Sequence, residues 1–173
     1  MMKKRSFVEN SSKYLSEDTP NKNLKFLSEF MRQLGLSMED VAVAAGVRTN
    51  SARNWFLVDN MSLSKVIKVT EHFGYEFVIS YDTPAPKIDR TKLVIEEPAE
   101  TFPDIDMTKR LAFIRVAMYK TGVTNTLLAE KIGCIRGAVQ KFFQTDDTSL
   151  SNIYRIAEAF DWTVNIRFKK KAD

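Results

Sequence analysis

The fold is decided by the stretch AEKIGCIRGAVQKFF, residues 129–143. Gly133 stands between two short amphipathic segments, and glycine readily takes the left-handed conformation that ends one helix and turns the chain into the next. In the second segment Val139 and Phe142 recur at helical spacing, while Arg136 and its polar neighbours fall on the opposite side. The stretch therefore predicts two helices joined by a tight turn, the second of which carries a polar face.

The same layout occurs 87 residues earlier, in AVAAGVRTNSARNWF, residues 42–56. Both stretches keep the turn glycine, as Gly46 and Gly133, and the match extends without a gap for some forty residues. The further matched pairs are Gly35 with Gly122, Ser37 with Thr124, Val41 with Leu128, Phe56 with Phe143, Ser62 with Ser149, Phe73 with Phe160 and Ile79 with Ile166. Internal repeats indicate repeated structural units, and chance rarely produces a match of this length. We predict two copies of one domain, at 22–81 and 107–169.

Each copy is predicted to contain four helices followed by one strand. Apolar periodicity places the helices at 22–34, 38–45, 49–58 and 63–73 in the first copy, and at 108–120, from the cap Thr124, at 136–144 and from the cap Ser149 in the second. The period then changes to two, in YEFVISY (75–81) and WTVNIRF (162–168), which is the pattern of a half-buried strand. Because a lone strand is not stable, the simplest arrangement pairs the two strands antiparallel across a pseudo-twofold axis. The predicted fold class is mainly α, with a small antiparallel sheet.

Three segments lie outside the two copies. Residues 1–21 are polar and predicted to be a mobile N-terminal arm. Residues 82–106 contain four prolines and seven acidic against three basic residues, which predicts a linker, with KLVIE (92–96) as a candidate short strand. Residues 170–173 are predicted to be a basic tail. About 25 linker residues can span up to about 80 Å, so pairing within the chain, a homodimer and a domain-swapped dimer all remain open.

The charge of the chain suits a polyanionic partner without requiring one. The 173 residues carry a formal net charge of +4, and the excess lies mainly in residues 107–173, with twelve basic and six acidic residues. The first copy, 22–81, has seven basic and six acidic residues. The basic field is therefore expected to belong mainly to the second copy.

Several function classes find no support in the sequence. No apolar run approaches the ~18 residues that a membrane span needs, no secretory signal is recognisable, and Cys134 alone cannot form an internal disulfide. His72 is the only histidine, and no Ser-His-Asp set, metal-ligand spacing or phosphate-binding loop is recognisable. We therefore expect a cytoplasmic protein that is not an enzyme, with no cofactor and no metal.

The turn and its surroundings resemble the helix-turn-helix of the lambda-repressor and Cro-like family, the XRE type. The resemblance rests on a small alanine four residues before the glycine, an apolar residue nine after it, and a polar loop that ends in Ser-Leu: Ala42, Trp55 and NMSL (60–63) in the first copy, and Ala129, Phe142 and DTSL (147–150) in the second. The proline that the family carries in this loop is replaced by Met61 and Thr148. The resemblance covers about 60 residues per copy and implies two tandem four-helix domains, each followed by a strand.

This resemblance implies a sequence-specific transcriptional regulator, expected to be a repressor, that binds double-stranded DNA and is nucleoid-associated when bound. The helix after the turn is implied to enter the major groove. The implied base-contacting residues are Arg136, Gln140, Lys141 and Gln144 in the second copy, and Arg48, Thr49, Asn50, Arg53 and Asn54 in the first. Asn125 is the implied phosphate contact, where the family often has Gln, whereas the first copy has Met38 at that place. We expect the second copy to dominate the affinity.

An alternative of a different class stays open. The chain could be an antitoxin-like or other protein-interaction module that binds a toxin-like protein, with DNA binding secondary. Antitoxins of this family often carry a strand after the helices, so the strands do not discriminate. Residues 1–21 are the candidate segment for folding on such a partner. The outward polar residues after each turn could also be solvated helix faces.

Overall fold

Eight helices and two strands make up the part of the chain that the computed structural model describes, residues 22–84, 102 and 104–172. The first half contains α1 (Lys25–Leu34), α2 (Met38–Ala45), α3 (Thr49–Leu57), α4 (Leu63–His72) and β1 (Tyr75–Asp82). The second half contains α5 (Ala112–Thr121), α6 (Asn125–Lys131), α7 (Arg136–Thr145), α8 (Leu150–Phe160) and β2 (Thr163–Lys170). The prediction of a mainly helical chain with a small antiparallel sheet is confirmed. The arm predicted at 1–21 and the strand predicted at 92–96 lie outside the described residues.

The first helix begins at Lys25, three residues later than the apolar periodicity predicts. The backbone N–H groups of Asn23 and Leu24 each donate to the carboxylate of Asp59, at 2.9 Å. The first N–H groups of a helix have no acceptor within the helix, so they need one from elsewhere. A carboxylate from the loop after α3 supplies it and fixes where α1 begins.

A carboxylate also fixes the start of α5, which begins at Ala112 rather than at 108. Here the N–H groups of Arg110 and Leu111 each donate to the Asp146 carboxylate, at 3.0 Å. Asp146 is the repeat counterpart of Asp59, and the two have similar left-handed φ values of 50° and 49°. The predicted bounds 22–34 and 108–120 are thus wrong at their starts, because a long-range contact and not the apolar pattern decides them.

Both strands are longer than predicted. β1 continues to Asp82, which the sequence assigns to the linker, and β2 continues to Lys170, which it assigns to the basic tail. The two strands pair over all eight residues of each, so the ladder and not the alternation sets their length. Beyond β2 the N–H of Lys171 donates to the Gly74 carbonyl at 2.8 Å. Lys170 therefore belongs to the strand and not to the predicted basic tail.

The two turn glycines have the predicted conformation. Gly46 and Gly133 have φ of 69° and 67°, in the left-handed region. In each turn the N–H of the next residue donates to the carbonyl of the alanine four residues before the glycine, at 2.9 Å. Most side chains at these positions would strain the backbone by roughly 1 kcal/mol or more, Asn and Asp being the usual exceptions. The matched turns set the directions in which α3 and α7 leave α2 and α6.

The contacts between the two halves come in pairs. β1 and β2 pair antiparallel, as predicted, and Ser62 and Ser149 form a second, isolated bridge where α4 and α8 begin. At this bridge Leu63 N–H donates to the Thr148 carbonyl and Leu150 N–H donates to the Met61 carbonyl, both at 2.9 Å. Beside them, Ser64 N–H donates to the Asp147 carboxylate at 3.0 Å, and Ser151 N–H donates to the Asn60 side-chain oxygen at 3.1 Å. Each bond maps onto its twin by the 87-residue shift of the repeat. The halves are therefore related by a local pseudo-twofold axis.

The far end of each strand carries an aromatic side chain into the other half. Phe168 of β2 stacks on Phe30 of α1, with ring centroids 4.5 Å apart. Tyr81 of β1 lies against Phe113 of α5 at 5.0 Å, and its hydroxyl donates to the Ile153 carbonyl of α8 at 2.6 Å. The buried apolar residues form one cluster that includes both halves. Neither half therefore completes its core without the other.

Candidate nucleic-acid interface

α7 follows the Gly133 turn and exposes one polar face. Val139 is fully buried and Phe142 packs partly buried against the core, so these two anchor the helix. The four side chains predicted to contact bases are all exposed on α7: Arg136, Gln140, Lys141 and Gln144. They fall on one side of the helix, because successive helical residues are about 100° apart. The structure therefore brings the four predicted residues of the second copy together.

α3 has the same construction in the first half. Ala52 and Phe56 are buried beneath it. Of the side chains predicted to contact bases, four are exposed, Arg48, Asn50, Arg53 and Asn54, whereas Thr49 is half-buried at the first position of the helix. Nη1 of Arg53 lies 3.5 Å from Oδ1 of Asn50, a long contact that leaves both groups able to turn towards a partner. The first half thus presents four of its five predicted residues fully and Thr49 in part.

Some basic side chains of the second half contact other residues of the chain, and others point to no ion-pair partner among the described residues. The guanidinium of Arg115 lies over the ring of Phe143, 4.1 Å from its centroid, and so contacts α7. Arg110 donates from Nε to the Asp146 carbonyl at 2.8 Å. Arg136 and Lys141 have no ion-pair partner among the residues with described positions. These two charges are therefore available to a ligand.

The helices before the turn differ between the halves. Asn125, the predicted phosphate contact, is half-buried as the first residue of α6. It follows the cap Thr124, whose hydroxyl accepts from the Leu127 N–H at 3.2 Å. In the first half Met38 takes this place and packs against the core. Only the second half therefore carries a polar side chain at this position.

Acidic side chains follow Met38 at the start of α2. Asp40 forms a capping box with Ser37: the Ser37 N–H donates to Asp40 Oδ2 at 2.7 Å, and the Ser37 hydroxyl accepts from the Asp40 N–H at 3.1 Å. Hydrogen bonds from the Ser37 side chain and backbone hold the pKa of Asp40 below its usual value. Glu39 and Asp40 are both exposed, and their counterparts in the second half are the uncharged Thr126 and Leu127. The first half is therefore the less favourable of the two for a polyanion.

Two residues at the start of α7 escape the prediction from sequence. Ile135, which immediately precedes the helix, is 77% exposed, and Gly137 in the first turn has no side chain to cover the backbone. They occupy the places that Arg48 and Asn50 hold in the first half. A position-by-position comparison of the copies identifies them, because both counterparts are predicted base contacts.

The described part of the chain supports neither a metal site nor a membrane span. There, no three His, Cys, Asp or Glu side chains are grouped so that they could hold a metal ion. No described helix has the length and apolar character that crossing a membrane requires. Comparisons with protein-family models, curated proteins and solved structures give no significant match. The residues of the chain itself are therefore the basis for its proposed function.

Proposed function

We propose that the chain is a transcriptional regulator, with repression as the expected outcome, that binds double-stranded DNA at a specific sequence. It consists of two tandem helix-turn-helix units of the lambda-repressor type, α2–α3 and α6–α7. The observation that carries the proposal is that a left-handed glycine turn is followed, twice in one chain, by a helix with one buried and one exposed polar side. In helix-turn-helix proteins the helix after the turn enters the major groove. We assign this role to α3 and α7.

The exposed side chains have the chemistry that base edges require. Arg136 and Lys141 can donate to O6 and N7 of guanine, and the amide of Gln140 can pair with N6 and N7 of adenine. A good bidentate contact of this kind discriminates by about 1–3 kcal/mol against the wrong base. Asn125 is proposed to bond a phosphate, which positions the protein without selecting a sequence.

The second half is proposed to contribute more of the affinity. Residues 107–173 carry twelve basic and six acidic residues, against seven and six in 22–81, and α6 begins with Asn125. In the first half, the exposed carboxylates of Glu39 and Asp40 repel phosphate, and Met38 offers no hydrogen bond there. Since phosphate contacts supply much of the affinity of such proteins, the halves differ in strength as well as in specificity.

One chain supplies both units, so it needs no second copy to bind two half-sites. We propose that the two halves pair within one chain through these pseudo-twofold contacts, rather than as a homodimer or a domain-swapped dimer. Two-unit binders of this class contact half-sites about one turn of DNA, roughly 34 Å, apart. Because α3 and α7 carry different polar residues, the proposed operator is not a palindrome.

The test begins with selection of binding sequences from a random pool of double-stranded DNA. The best duplex is then titrated by fluorescence anisotropy, at several salt concentrations, with the chain and with Gln140→Ala/Lys141→Ala and Arg53→Ala/Asn54→Ala. We expect the log of the affinity to fall linearly with log salt, by about 0.9 per phosphate contact. The α7 variant should lose more affinity than the α3 variant, by about tenfold or more, since it removes two contacts from the stronger unit.

The control is Lys169→Ala, which removes one exposed charge from β2 and should leave the binding close to that of the unmodified chain. Equal losses in the two double variants would contradict the asymmetry. No enriched sequence, or an affinity that does not respond to salt, would contradict DNA binding itself.

A second candidate, an antitoxin-like module with a toxin-like protein partner, is favoured by one observation. Leu57 and Val58, at the end of α3, are 72% and 59% exposed, whereas their counterparts are Gln144 and Thr145. Exposed apolar side chains next to each other suit a protein surface more than DNA. Co-purification of a toxin-like neighbouring gene product, lost in Leu57→Ser/Val58→Ser while DNA binding persists, would support it.

A further inference from the structure

The start of α7 exposes an isoleucine at the place where α3 has an arginine. Ile135 is the most exposed large apolar side chain among the described residues, at 77%. A single exposed apolar side chain is ordinary on a protein surface. This one, however, immediately precedes Arg136, on the helix that carries the exposed polar face. Its position, and not its exposure alone, therefore distinguishes Ile135 from the other exposed apolar side chains.

Gly137 beside it is a glycine that the packing does not require. A Cβ at this position would meet only Cδ1 of Ile135, at 3.9 Å, which is ordinary van der Waals contact. Glycine inside a helix is destabilising relative to alanine, and one benefit that offsets this cost is that another molecule can approach the backbone closely. The same distance shows that the Ile135 side chain lies along the first turn of α7. Ile135 and Gly137 thus form one apolar, sterically open patch at the start of the helix.

The major groove of DNA presents one apolar group that distinguishes a base, the C5 methyl of thymine. We infer that Ile135 packs against the C5 methyl of a thymine in the half-site bound by α7, and that Gly137 leaves room for it. This inference rests on the proposed function and specifies one base that the second half selects. In the first half Arg48 and Asn50 at the equivalent places suit the polar edges of guanine and adenine instead. The two half-sites should therefore differ at this base pair.

The test uses the duplex selected from the random pool. Selection repeated with Gln140→Ala/Lys141→Ala shows which positions lose their preference, and these mark the half-site of α7. Each thymine in that half-site is then replaced, one at a time, by deoxyuridine, which removes only the methyl group. One of these duplexes should bind the unmodified chain about fourfold more weakly, which is the effect of losing one buried methyl-sized contact.

Coupling between the methyl and Ile135 is the decisive measurement. Ile135→Ala should bind the thymine and deoxyuridine duplexes with the same affinity, within about 1.5-fold, because the partner of the methyl is gone. Val43→Ala is the matched control, since Val43 is also β-branched and 66% exposed but lies in α2 of the first half. This variant should keep the full fourfold difference. Arg48→Ile should introduce a thymine preference into the other half-site upon renewed selection.

The outcomes separate the two claims. An enriched sequence with an α7 half-site that lacks thymine, or a methyl effect that persists unchanged in Ile135→Ala, would overturn the inference and leave DNA binding intact. A pool from which no sequence is enriched would overturn the proposed function, and with it this inference. Circular dichroism of each variant checks that a change in affinity is not a loss of fold.

Discussion

Ile79 of β1 and Ile166 of β2 lie directly opposite each other in the antiparallel ladder, and each is the repeat counterpart of the other. When two copies of a strand pair antiparallel, a twofold axis passes through the pair of equivalent positions. The bridge between Ser62 and Ser149 is a second pair of counterparts. The repeat in the sequence is therefore also a symmetry of the contacts, and the halves are joined where they are equivalent.

The first prediction is that the two halves unfold as one unit. The chain has two tryptophans, Trp55 in the first half and Trp162 in the second, so Trp162→Phe and Trp55→Phe each leave one fluorescent reporter. Phe168→Ala should lower the free energy of unfolding by about 3 kcal/mol, the low end for this substitution, because Phe168 is only half-buried. Because Phe168 comes from the second half and stacks in the first, urea unfolding should shift equally for both reporters.

Arg167→Ala is the matched control for this prediction. Arg167 precedes Phe168 on the same strand and is exposed, so its removal should change the stability by less than about 0.5 kcal/mol. Different urea midpoints for the two tryptophans would show that the halves unfold separately. That result would contradict a shared core.

The second prediction concerns Asp146, which combines a left-handed backbone with an essential acceptor. Its φ is 50°, and its carboxylate accepts from the N–H groups of Arg110 and Leu111. Asp146→Asn keeps an acceptor oxygen and tolerates this backbone, so it should cost about 1 kcal/mol. Asp146→Gly loses the acceptor but relieves the strain, and Asp146→Ala suffers both effects, for about 2–3 kcal/mol.

The expected order of unfolding free energies is therefore Asp, Asn, Gly, Ala, from the most to the least stable. The difference between the glycine and alanine variants isolates the strain of the backbone, since neither has an acceptor. If the alanine variant is as stable as the glycine variant, the left-handed conformation is not maintained. The same series at Asp59, with φ of 49°, tests the account in the first half.

The sequence predicts the helices, the strands and their pairing because each of them depends on local periodicity or on the repeat. The apolar spacing around Val139 sets α7, and the alternation in 75–81 and 162–168 gives both strands. The start of α5 could not be predicted in this way, because Asp146, 34 residues after Ala112, decides it. A local pattern also cannot predict that Phe168 and Tyr81 each pack against a helix of the opposite half, because these contacts join residues far apart in the sequence.

Local spacing also decides which of the proposed contact residues the sequence can predict. The exposed side of α7 is predictable because its polar residues share one helix face, which the spacing of a single helix reveals, whereas their role as base contacts is implied by the resemblance. The sequence does not predict Ile135 as a contact, because an apolar residue next to a turn usually belongs to the core, and only the structure gives its exposure. Burial at the ends of helices depends on how neighbouring elements are packed, and periodicity contains no information about that.

The third prediction is that Ser28→Ala makes the protein more stable. Oγ of Ser28 is the only buried side-chain nitrogen or oxygen without a hydrogen-bond partner among the residues that the structure describes. An unsatisfied buried hydroxyl costs about 1–3 kcal/mol, and alanine is also the better helix former. The free energy of unfolding should rise by about 1 kcal/mol or more in a urea titration.

Ser51→Ala on α3 separates the two contributions. Ser51 is exposed, so this variant should gain only the helix propensity, a few tenths of a kcal/mol. Ser28→Ala should exceed it clearly. A loss of stability in Ser28→Ala would mean that the hydroxyl has a partner, for example a bound water.

The fourth prediction concerns pH and Tyr81. The hydroxyl of Tyr81 donates to the Ile153 carbonyl at 2.6 Å, and burial together with the nearby Tyr154 raises the pKa of Tyr81 well above 10. The folded state therefore holds this proton more tightly than the unfolded chain does. The resulting stability is complete below about pH 10 and is lost as the pH rises towards the folded-state pKa, by about 1.4 kcal/mol per pH unit.

Tyr81→Phe removes both the hydrogen bond and the ionisable group, so its effect must change with pH. At pH 7 the variant should be less stable by about 1 kcal/mol, because the hydrogen bond to Ile153 is gone. Above pH 10 the original chain loses stability that the variant does not, so the difference should shrink and then reverse. Urea midpoints from pH 7 to 11 measure this change in the stability difference.

Tyr119→Phe, at a ring that is 67% exposed, is the control and should follow the unmodified chain throughout. A gap between Tyr81→Phe and the unmodified chain that stays constant up to pH 11 would contradict the buried hydroxyl.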